Sequence, residues 1–536
     1  MHLKNRFILI VFVLAAFAQA QDHSLQALET FVRSRFEPVE ESPALPGCGF
    51  SRMLDLRLHW RELSPDLQTK ARQLLKAAAP VRQKQMTSPD GHFVVHYDTS
   101  GYNAVPLSDR DGNGIPDYID SAAVILDSVW QQEIDVLGFQ APPDKQGNPV
   151  SAYPVYFTRM YDYGVTWLVD EGNIGERRIF TSYLELNTSY SGFYTKGLNG
   201  LRVTAAHEFN HAIQLGYNIW IGTDYDLKDR YFMEMTSTWI EDYVYPEIND
   251  YYQYLYFLFD NLSSYSFTST FSLYPYANTL YLHMEASLHS SSFVVDVWEQ
   301  IKKENSIRAL ETILKTRGDS FAQSLNRYGV WLYFTGDRAI PGSYFPDAAD
   351  YPMLEPSVKE RRFITTLPGY GLNLFEINVS DNRVYKAGVA GDSGEGRVNH
   401  ILQKNAFGEA VAFGRSQIFE YNTTMPNPVA VICNVSEQKT DSVRYNMQAV
   451  SLPPAPNPVV LSMGQERIVF KSLPQNSEIR IYSILGRLVA RVSNGVSNDV
   501  SWNMRSANGH PVASGMYLYL IDTGSQILNG KFTVLR

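Results

Sequence analysis

The sequence has little cysteine and no concentration of positive charge. Its 536 residues include two cysteines, Cys48 and Cys433, too few for a disulfide framework or a CxxC zinc site. Lysine and arginine number 46 against 56 aspartates and glutamates, and they do not cluster, so no nucleic-acid surface is expected. One long apolar run occurs, at the N-terminus, so we expect no membrane span once a leader is removed.

The N-terminus has the pattern of a secretory signal peptide. Lys4 and Arg6 precede an apolar run over residues 7–17, and Ala18-Gln19-Ala20 gives small residues at a cleavage site. We therefore expect residues 1–20 to be a cleaved leader, with an uncleaved anchor as the alternative. An exported chain with almost no cysteine is typical of a bacterial secreted or cell-surface protein that is stabilised by its core.

The remaining chain divides by pattern into four segments. Residues 21–88 are expected to be helical and irregular, either an N-terminal segment or a removable pro-region. Residues 89–350 mix strand and helix patterns, which is typical of an α/β or α+β domain. Residues 351–450 and 451–536 give short alternating runs that predict two all-β sandwich modules. Strand patterns lie at 92–97, 152–157 and 178–186, and helical patterns at 24–36, 64–79, 117–137, 201–215 and 229–244.

The motif His207-Glu208-Phe209-Asn210-His211 carries the chemistry. On a helix, two histidines four residues apart share a face about 6 Å apart, and both can bind one zinc ion. Glu208 then points beside the metal, where it can accept a proton from a zinc-bound water as the general base of peptide hydrolysis. A buried helix with two hydrogen-bonded histidines is the alternative interpretation.

A catalytic zinc ion needs a third protein ligand, which the next helix can supply. Glu234 is favoured, because a helix packed behind the first presents an early residue to the metal. Glu241 and, more weakly, Asp242 are the alternatives. Thr238 is a candidate to hydrogen-bond a ligand histidine.

An aspartate-rich loop at residues 109–120 predicts a second metal site. Oxygen-bearing side chains recur at the spacing of a calcium loop, and Gly114 permits the turn. An Asp/Gly-rich turn that caps a helix is the alternative. The expected ligands of a structural Ca²⁺ ion are Asp109, Asp111, Asn113, Ile115 (through its backbone carbonyl), Asp117 and Asp120.

Further expectations concern the surroundings of the zinc site. Cys48 precedes the catalytic region, and a thiolate from a pro-segment can occupy the fourth zinc position; a buried free thiol is favoured, and pairing with Cys433 is a third possibility. A peptide substrate is expected to pair along the strand 178–186. The aromatic run 251–281 predicts packing, with a cleft lining as the alternative. Candidate donors to the transition state are Tyr217, Tyr225 and Tyr231.

Two segments, AAHEFNHAIQ and YFMEMTSTWIED, together resemble the Glu-zincin metallopeptidases, most closely a family of secreted bacterial metalloproteases with this two-helix signature. The resemblance covers residues 45–345 and implies a zincin-like fold with His207, His211 and Glu234 as zinc ligands. Position 238 is not acidic here, which departs from thermolysin-like enzymes.

The C-terminal module has a resemblance of its own. Pro456-Asn457-Pro458, followed by IRIYSILGRLV and VASGMYLYLI, resembles the sorting domains of the type IX secretion system and related FlgD-type Ig-like modules. That resemblance implies outer-membrane export through this secretion machinery. A plain adhesive β-sandwich is the alternative.

Together these patterns predict a secreted zinc endopeptidase that acts on extracellular proteins, with a structural calcium ion. The rival hypothesis is a non-catalytic surface or adhesion protein that uses its metals for stability.

Overall fold

The computed structural model describes residues 25–36 except 27, 47–76, 79–219, 227–380, 383–391, 396–404, 407–414, 416–421, 426–436, 440–449, 457–524 and 527–536. The predicted signal peptide and the Pro-rich linker up to residue 456 lie outside these residues. The chain forms two compact units. The first extends to residue 261 and includes 267–321 and 334–353, and the second holds 262–266, 322–333 and 354–536.

The first unit contains a five-stranded mixed sheet with the order β1-β2-β3-β5-β4. Strands β2, β3 and β5 run parallel, while β1 and β4 are antiparallel to their neighbours. The three predicted strands are confirmed as β2, β3 and β5. Two more, β1 and β4, were not predicted, and they form the two edges of the sheet. The strands are β1 (Lys84–Thr87), β2 (Phe93–Tyr97), β3 (Tyr153–Thr158), β4 (Gly164–Ile174) and β5 (Arg177–Asn187).

Helices surround this sheet, so the first unit is α+β. Residues 28–34 are helical as well. The described helices of the unit are α1 (Gly49–His59), α2 (Pro65–Lys76), α3 (Asp117–Trp130), α4 (Gly197–Gln214), α5 (Arg230–Val244), α6 (Leu255–Phe259), α7 (Tyr274–Ala277), α8 (Leu280–His289), α9 (Ser292–Ile301) and α10 (Ser306–Thr316).

Helix α3 ends earlier than its periodicity predicts. The pattern extended to residue 137, but a π-helical turn replaces the α-helix over Gln131–Val136. The wider turn places the Glu133 carboxylate inside the unit, where Oε2 accepts a hydrogen bond of 2.9 Å from Asn210 on α4. The hydrogen bond from Asn210 therefore explains how the acidic Glu133 can be buried on an otherwise apolar helix face.

Helices α4 and α5 pack against each other and carry the predicted zinc motif. Helix α5 matches its predicted range within one residue, whereas α4 begins four residues before the predicted start at Leu201. Every side chain of α4 from Val203 to Gln214 is buried. The polar side chains of the motif therefore have to find partners inside the protein.

The second unit is built mainly from β-sandwiches, as predicted. Helix α11 (Phe321–Tyr333) falls largely in it. Two sheets with the orders β11-β10-β13-β8-β6 and β12-β9-β14-β7 enclose one apolar core. The strands are β6 (Ser357–Lys359), β7 (Arg362–Leu367), β8 (Leu372–Ile377), β9 (Arg383–Gly391), β10 (Gly396–Lys404), β11 (Phe407–Gly414), β12 (Ser416–Tyr421), β13 (Val429–Asn434) and β14 (Asp441–Ala449).

The C-terminal module has its own core around Trp502 and Phe532. A five-stranded sheet, ordered β15-β21-β20-β17-β18, and a two-stranded sheet of β16 and β19 contribute side chains to it. Its strands are β15 (Val459–Val460), β16 (Ile468–Phe470), β17 (Glu478–Ser483), β18 (Leu488–Ser493), β19 (Val500–Trp502), β20 (Gly515–Asp522) and β21 (Ile527–Leu535). Over all the residues described, no helix has the length and apolar character needed to cross a bilayer.

Candidate metal centre

Three predicted ligands meet between α4 and α5. His207 Nε2 lies 3.1 Å from His211 Nε2, and Glu234 Oε2 lies 3.3 Å from each of these nitrogens. A tetrahedral zinc ion with bonds of about 2.0–2.1 Å has its ligand atoms about 3.3 Å apart. The triangle of ligand atoms therefore has the dimensions of one face of a zinc tetrahedron.

The hydrogen bonds behind the histidines explain this orientation. His207 Nδ1 lies 2.6 Å from Glu241 Oε1, and His211 Nδ1 lies 2.9 Å from Gln214 Oε1. When both Nδ1 atoms donate to these oxygens, both Nε2 atoms carry lone pairs that face each other. Glu234 Oε2 is buried, and apart from its 3.3 Å contacts with the two Nε2 atoms it has no hydrogen-bond partner among the described residues. Three converging lone pairs fit a cation at their centre.

Glu241 takes a different place from Glu234. It binds the far nitrogen of His207, so it orients a ligand and increases its basicity rather than facing the centre. The expectation for Thr238 is wrong, since its buried hydroxyl has no hydrogen-bond partner among the described residues. Its neighbour Ser237 lies 3.2 Å from His211 Nδ1 instead.

A buried polar network supports the His211 side. Gln214 Nε2 donates to Asn210 Oδ1 at 2.5 Å, and Ser237 Oγ donates to the same oxygen at 3.2 Å. Asn210 in turn donates to Glu133. Because each member fixes the next, the His211 ring has little freedom to turn away from the centre.

Glu208 is held at the edge strand of the sheet. Its Oε2 accepts a 2.7 Å hydrogen bond from Thr166 Oγ1 on β4, and the carboxylate is fully buried. Gly164 allows this approach, because a Cβ there would lie 2.8 Å from Glu208 Cγ. The strand thus presents a hydroxyl to the predicted general base and leaves its other oxygen free for another donor.

That donor is Cys48, for which the sequence favoured a buried free thiol and left a place at the zinc site as the alternative. Cys48 Sγ lies 3.0 Å from Glu208 Oε1. Its sulfur and one ligand atom each of His207, His211 and Glu234 all lie within 4.8 Å of one another. Both cysteines are free thiols, so pairing of Cys48 with Cys433 is not found.

The centre favours positive charge. Burial alone would lower the pKa of His207, but hydrogen bonds with Glu234 and Glu241 outweigh burial and raise it well above its usual value. Burial raises the pKa of the Cys48 thiol, and the nearby Glu208 and Glu234 carboxylates raise it further. Without a metal, the cluster therefore holds protons, and a bound cation has to displace them.

Two of the three predicted tyrosine donors lie elsewhere. Tyr231 pairs with Ser306 Oγ at 2.7 Å, the hydroxyl of Tyr217 accepts from Gln140 N at 3.1 Å, and Tyr225 is outside the described residues. Tyr276, from the aromatic run, faces the centre instead. Its ring stacks on His207 with centroids 5.9 Å apart, and its hydroxyl interacts with Glu234.

The expected substrate strand also needs correction. Residues 178–186 belong to β5, which pairs with β3 on one side and with β4 on the other. Strand β3 pairs only with residues 184–187, but Phe180 N and Arg178 O bond to Leu215 O and Ile219 N, so little of this edge is left for a peptide. Strand β4 pairs only with β5 among the described strands, so it is the strand with an open edge near Glu208.

The predicted calcium loop has its first six residues exposed, and its acidic groups are hydrogen-bonded within the loop and its flank. Asp109 Oδ1 accepts from Gly112 N at 2.8 Å, and Asn113 Nδ2 donates to both Asp111 and Asp120 at 3.1 Å. Asp117 accepts from Ser108 Oγ at 2.6 Å. The four aspartates do not form a compact acidic group like the buried centre. Calcium binding there, including the part of Ile115, stays a prediction.

No protein-family model matches the chain, and no curated protein matches it. Solved structures with local similarity include PorZ, described as a surface component of the type-IX secretion system of Porphyromonas gingivalis. It is 27% identical over 16% of this chain and 11% of its own, with a TM-score of 0.15. Latent PorU from Porphyromonas gingivalis is 13% identical over 34% and 19% (TM-score 0.14). The adhesin domain of Epf from Streptococcus pyogenes is 8% identical over 32% and 77% (TM-score 0.15). Scores this low carry no argument about fold or function.

Proposed function

We propose that this chain is a secreted zinc endopeptidase with a zincin-like catalytic domain. His207, His211 and Glu234 would hold the metal, and Glu208 would be the general base. The observation that carries the proposal is the triangle of three ligand atoms 3.1–3.3 Å apart with a buried carboxylate beside it. That arrangement matches a metal with protein ligands on one side and a base on the other.

A bound zinc ion would lower the pKa of a water molecule and polarise a peptide carbonyl. The chain supplies the proton acceptor: Glu208 Oε1 takes the proton, while Thr166 keeps Oε2 fixed. Tyr276 is the best-placed donor to the developing negative charge, because it lies beside both His207 and Glu234.

A peptide substrate would add to the sheet along β4. The antiparallel edge strand begins at Gly164 and carries Thr166, the residue that binds Glu208. An extended peptide paired there would run past the base, and backbone hydrogen bonds would hold it without demanding a particular side chain.

The test compares the secreted wild-type chain with Glu208→Gln. Casein hydrolysis by each is measured before and after limited cleavage of the chain by trypsin. We expect one zinc ion per chain to be retained and hydrolysis to fall roughly 10²- to 10⁴-fold, the usual contribution of a general base. Glu247→Gln, at an exposed position, is the matched control. Hydrolysis that survives both Glu208→Gln and a zinc chelator would refute the assignment.

One observation favours a second candidate, a non-catalytic protein stabilised by its metal. Cys48 completes a group of four buried ligands, and structural zinc sites are usually closed in this way. The two candidates separate when Cys48 is removed: a peptidase gains an open coordination position and hydrolyses peptides, whereas a structural site loses metal affinity and gains no activity.

For the C-terminal module we propose a sorting function in type IX secretion, on the strength of its sequence resemblance. The module has its own core, so its deletion from residue 457 onward should leave the first unit folded. Deletion should trap the protein in the periplasm of a bacterium that has this secretion system. Unchanged appearance outside the cell would contradict the proposal.

A further inference from the structure

Residues 47–55, the covering segment, lie directly over the metal centre. Phe50 stacks on the His211 ring with centroids 4.3 Å apart, and Ser51 Oγ donates to Glu234 Oε1. Cys48 contacts Glu208. Three residues of the segment thus contact one ligand histidine, one ligand carboxylate and the predicted general base.

The same segment fills the space beside the edge strand. Gly49 approaches β4 so closely that a Cβ would lie 2.1 Å from Val165 Cγ2 and 2.9 Å from the Gly164 carbonyl oxygen. The cavity that remains beside Cys48, His207 and Glu208 measures about 10 Å³. That is about the room one water molecule needs, so a peptide has no access.

The Cys48 side chain is held in its orientation by the start of α1. Cys48 is the N-cap of this 11-residue helix, and its sulfur accepts a hydrogen bond of 3.3 Å from Phe50 N. Independently, Glu234 Oε2 is buried and, apart from its 3.3 Å contacts with the two ligand histidines, has no partner among the described residues, which marks the centre as a ligand position.

We propose that Cys48 is the fourth metal ligand of the intact chain, and that the covering segment closes the site. On metal binding the S–H bond breaks, a sulfur–metal bond forms, and the proton moves to Glu208 Oε1. The predicted base is then protonated and the fourth position is filled. Latency of the intact chain rests on the proposed peptidase function, whereas the ligand assignment does not.

Ion pairs hold the covering segment in place. Arg52 pairs with the buried Asp162, and Asp55 pairs with Arg230 at the start of α5. Upstream, Arg35 binds Glu185 of β5 at 2.5 Å. The pairs of Arg52 and Asp55 attach the segment to the β3–β4 connection and to α5. Opening therefore requires displacement of the whole segment, for example by cleavage of the chain after it, where Val81 is 93% exposed.

The test replaces zinc with Co²⁺ in the full chain and records the thiolate-to-cobalt charge-transfer band in the near ultraviolet. Wild type should show this band with one cobalt per chain. Cys48→Ser should lose it, while Cys433→Ser, which changes the other buried cysteine, should keep it. Since the chain has two cysteines, a band in wild type and Cys433→Ser assigns Cys48 even if Cys48→Ser does not fold.

The outcomes separate the two proposals. Stoichiometric cobalt without a thiolate band overturns the ligand assignment, and casein hydrolysis can still support the peptidase. A band that persists in Cys48→Ser overturns the assignment as well. In a further outcome, wild type shows the thiolate-to-cobalt band while neither Cys48→Ser nor the trypsin-cleaved chain hydrolyses casein. That result supports Cys48 as a ligand but overturns both latency and the peptidase function. No bound cobalt in any form overturns both.

Discussion

The two predicted cation sites of this protein differ in how they are built. The metal centre joins Cys48, His207, His211 and Glu234, which come from three helical regions and are all at most 5% exposed. The aspartate-rich loop lies within residues 109–120, and its first six residues are exposed. Buried lone pairs have no water to bind, so the centre needs its cation or protons. The loop can use water and its own amides.

Acid–base behaviour shows the same contrast. Burial raises the pKa of Glu241 behind His207 to about 8. In the loop, hydrogen bonds from the Arg110 backbone and Ser108 lower the pKa of Asp117. The affinity of the centre for a cation should therefore be lost when the protein unfolds, because its ligands come from distant segments. The affinity of the loop should depend mainly on residues close together in the sequence.

Glu234→Gln should have the largest effect on the centre. Structural zinc sites gain about 10–16 kcal/mol on binding, so the loss of one of four ligands should weaken zinc binding roughly 10²- to 10³-fold. Competition with a chromophoric chelator measures the dissociation constant. Asp111→Asn in the loop should leave it unchanged. Equal zinc affinity in Glu234→Gln and wild type would show that Glu234 is not a ligand.

Tyr276→Phe tests the donor that the aromatic run supplies. Loss of one hydrogen-bond donor to a developing oxyanion costs roughly 10²–10³ in kcat. We expect that loss in the chain opened by trypsin, with KM and zinc content little changed. Tyr217→Phe is the matched control, since its hydroxyl binds a backbone amide away from the site. Equal losses in the two variants would assign Tyr276 a packing role.

Asp229→Asn examines a buried carboxylate of the first unit that lies outside the centre. Burial raises the pKa of Asp229 to about 6, and its Oδ1 accepts from Ser306 Oγ at 2.6 Å. A raised pKa stabilises the fold below the unfolded value of 3.8, and this contribution is lost as pH rises through about 6. The loss is about 3 kcal/mol, from 1.36 kcal/mol per pKa unit.

Urea unfolding of wild type and Asp229→Asn at several pH values measures this contribution. The difference in the free energy of unfolding between wild type and Asp229→Asn should change mainly between pH 4 and pH 6. Wild type should lose stability relative to the variant as the pH rises. Asp117→Asn gives the opposite sign. Because its pKa is lowered, Asp117 stabilises above its unfolded value and loses this contribution as pH falls through the folded value. A constant difference over this range would contradict the Asp229 prediction.

Glu241→Gln should weaken zinc binding less than Glu234→Gln does. Removal of a partner that orients a ligand histidine typically costs 10- to 100-fold in metal affinity. The same chelator competition applies, with Glu247→Gln as the exposed control on the following turn. If Glu241→Gln lost more zinc affinity than Glu234→Gln, Glu241 would be the metal ligand and Glu234 the residue that orients a histidine.

The parts of the centre that follow one helical period were predictable. His207, Glu208 and His211 sit on one helix, so their spacing was enough to predict that they lie together. Glu234 lies on the next helix, and there only an assumed helix packing and the family resemblance favoured it over Glu241 and Asp242. Ser237 was missed in favour of Thr238, because adjacent residues differ by about 100° around a helix and only packing decides which one faces His211. The sequence does not fix that rotation.

Contacts between distant segments were not predictable in the same way. Cys48 lies 160 residues before Glu208, and no periodicity links the two positions. Strand order is equally nonlocal. Strand β5 looked accessible as a sequence pattern, but β4 pairs along one of its edges, and β3 and residues 215–219 bond to parts of the other. The all-β character of the second unit was predictable, since alternation and turn residues are local signals.

The smallest expected effect concerns calcium at the loop. Extracellular calcium modules bind with dissociation constants of about 10⁻⁴–10⁻³ M, so about 10 mM Ca²⁺ should stabilise the fold by roughly 1.4–2.7 kcal/mol. Asp111→Asn should abolish the resulting rise in Tm. Asp144→Asn is the control, because Asp144 also accepts backbone amides in an exposed turn, from Gln146 N and Asn148 N at 2.8 Å. It should lower Tm equally with and without calcium. An undiminished calcium shift in Asp111→Asn would leave the loop as a helix-capping turn, and the buried centre would be the one cation site that the described residues support.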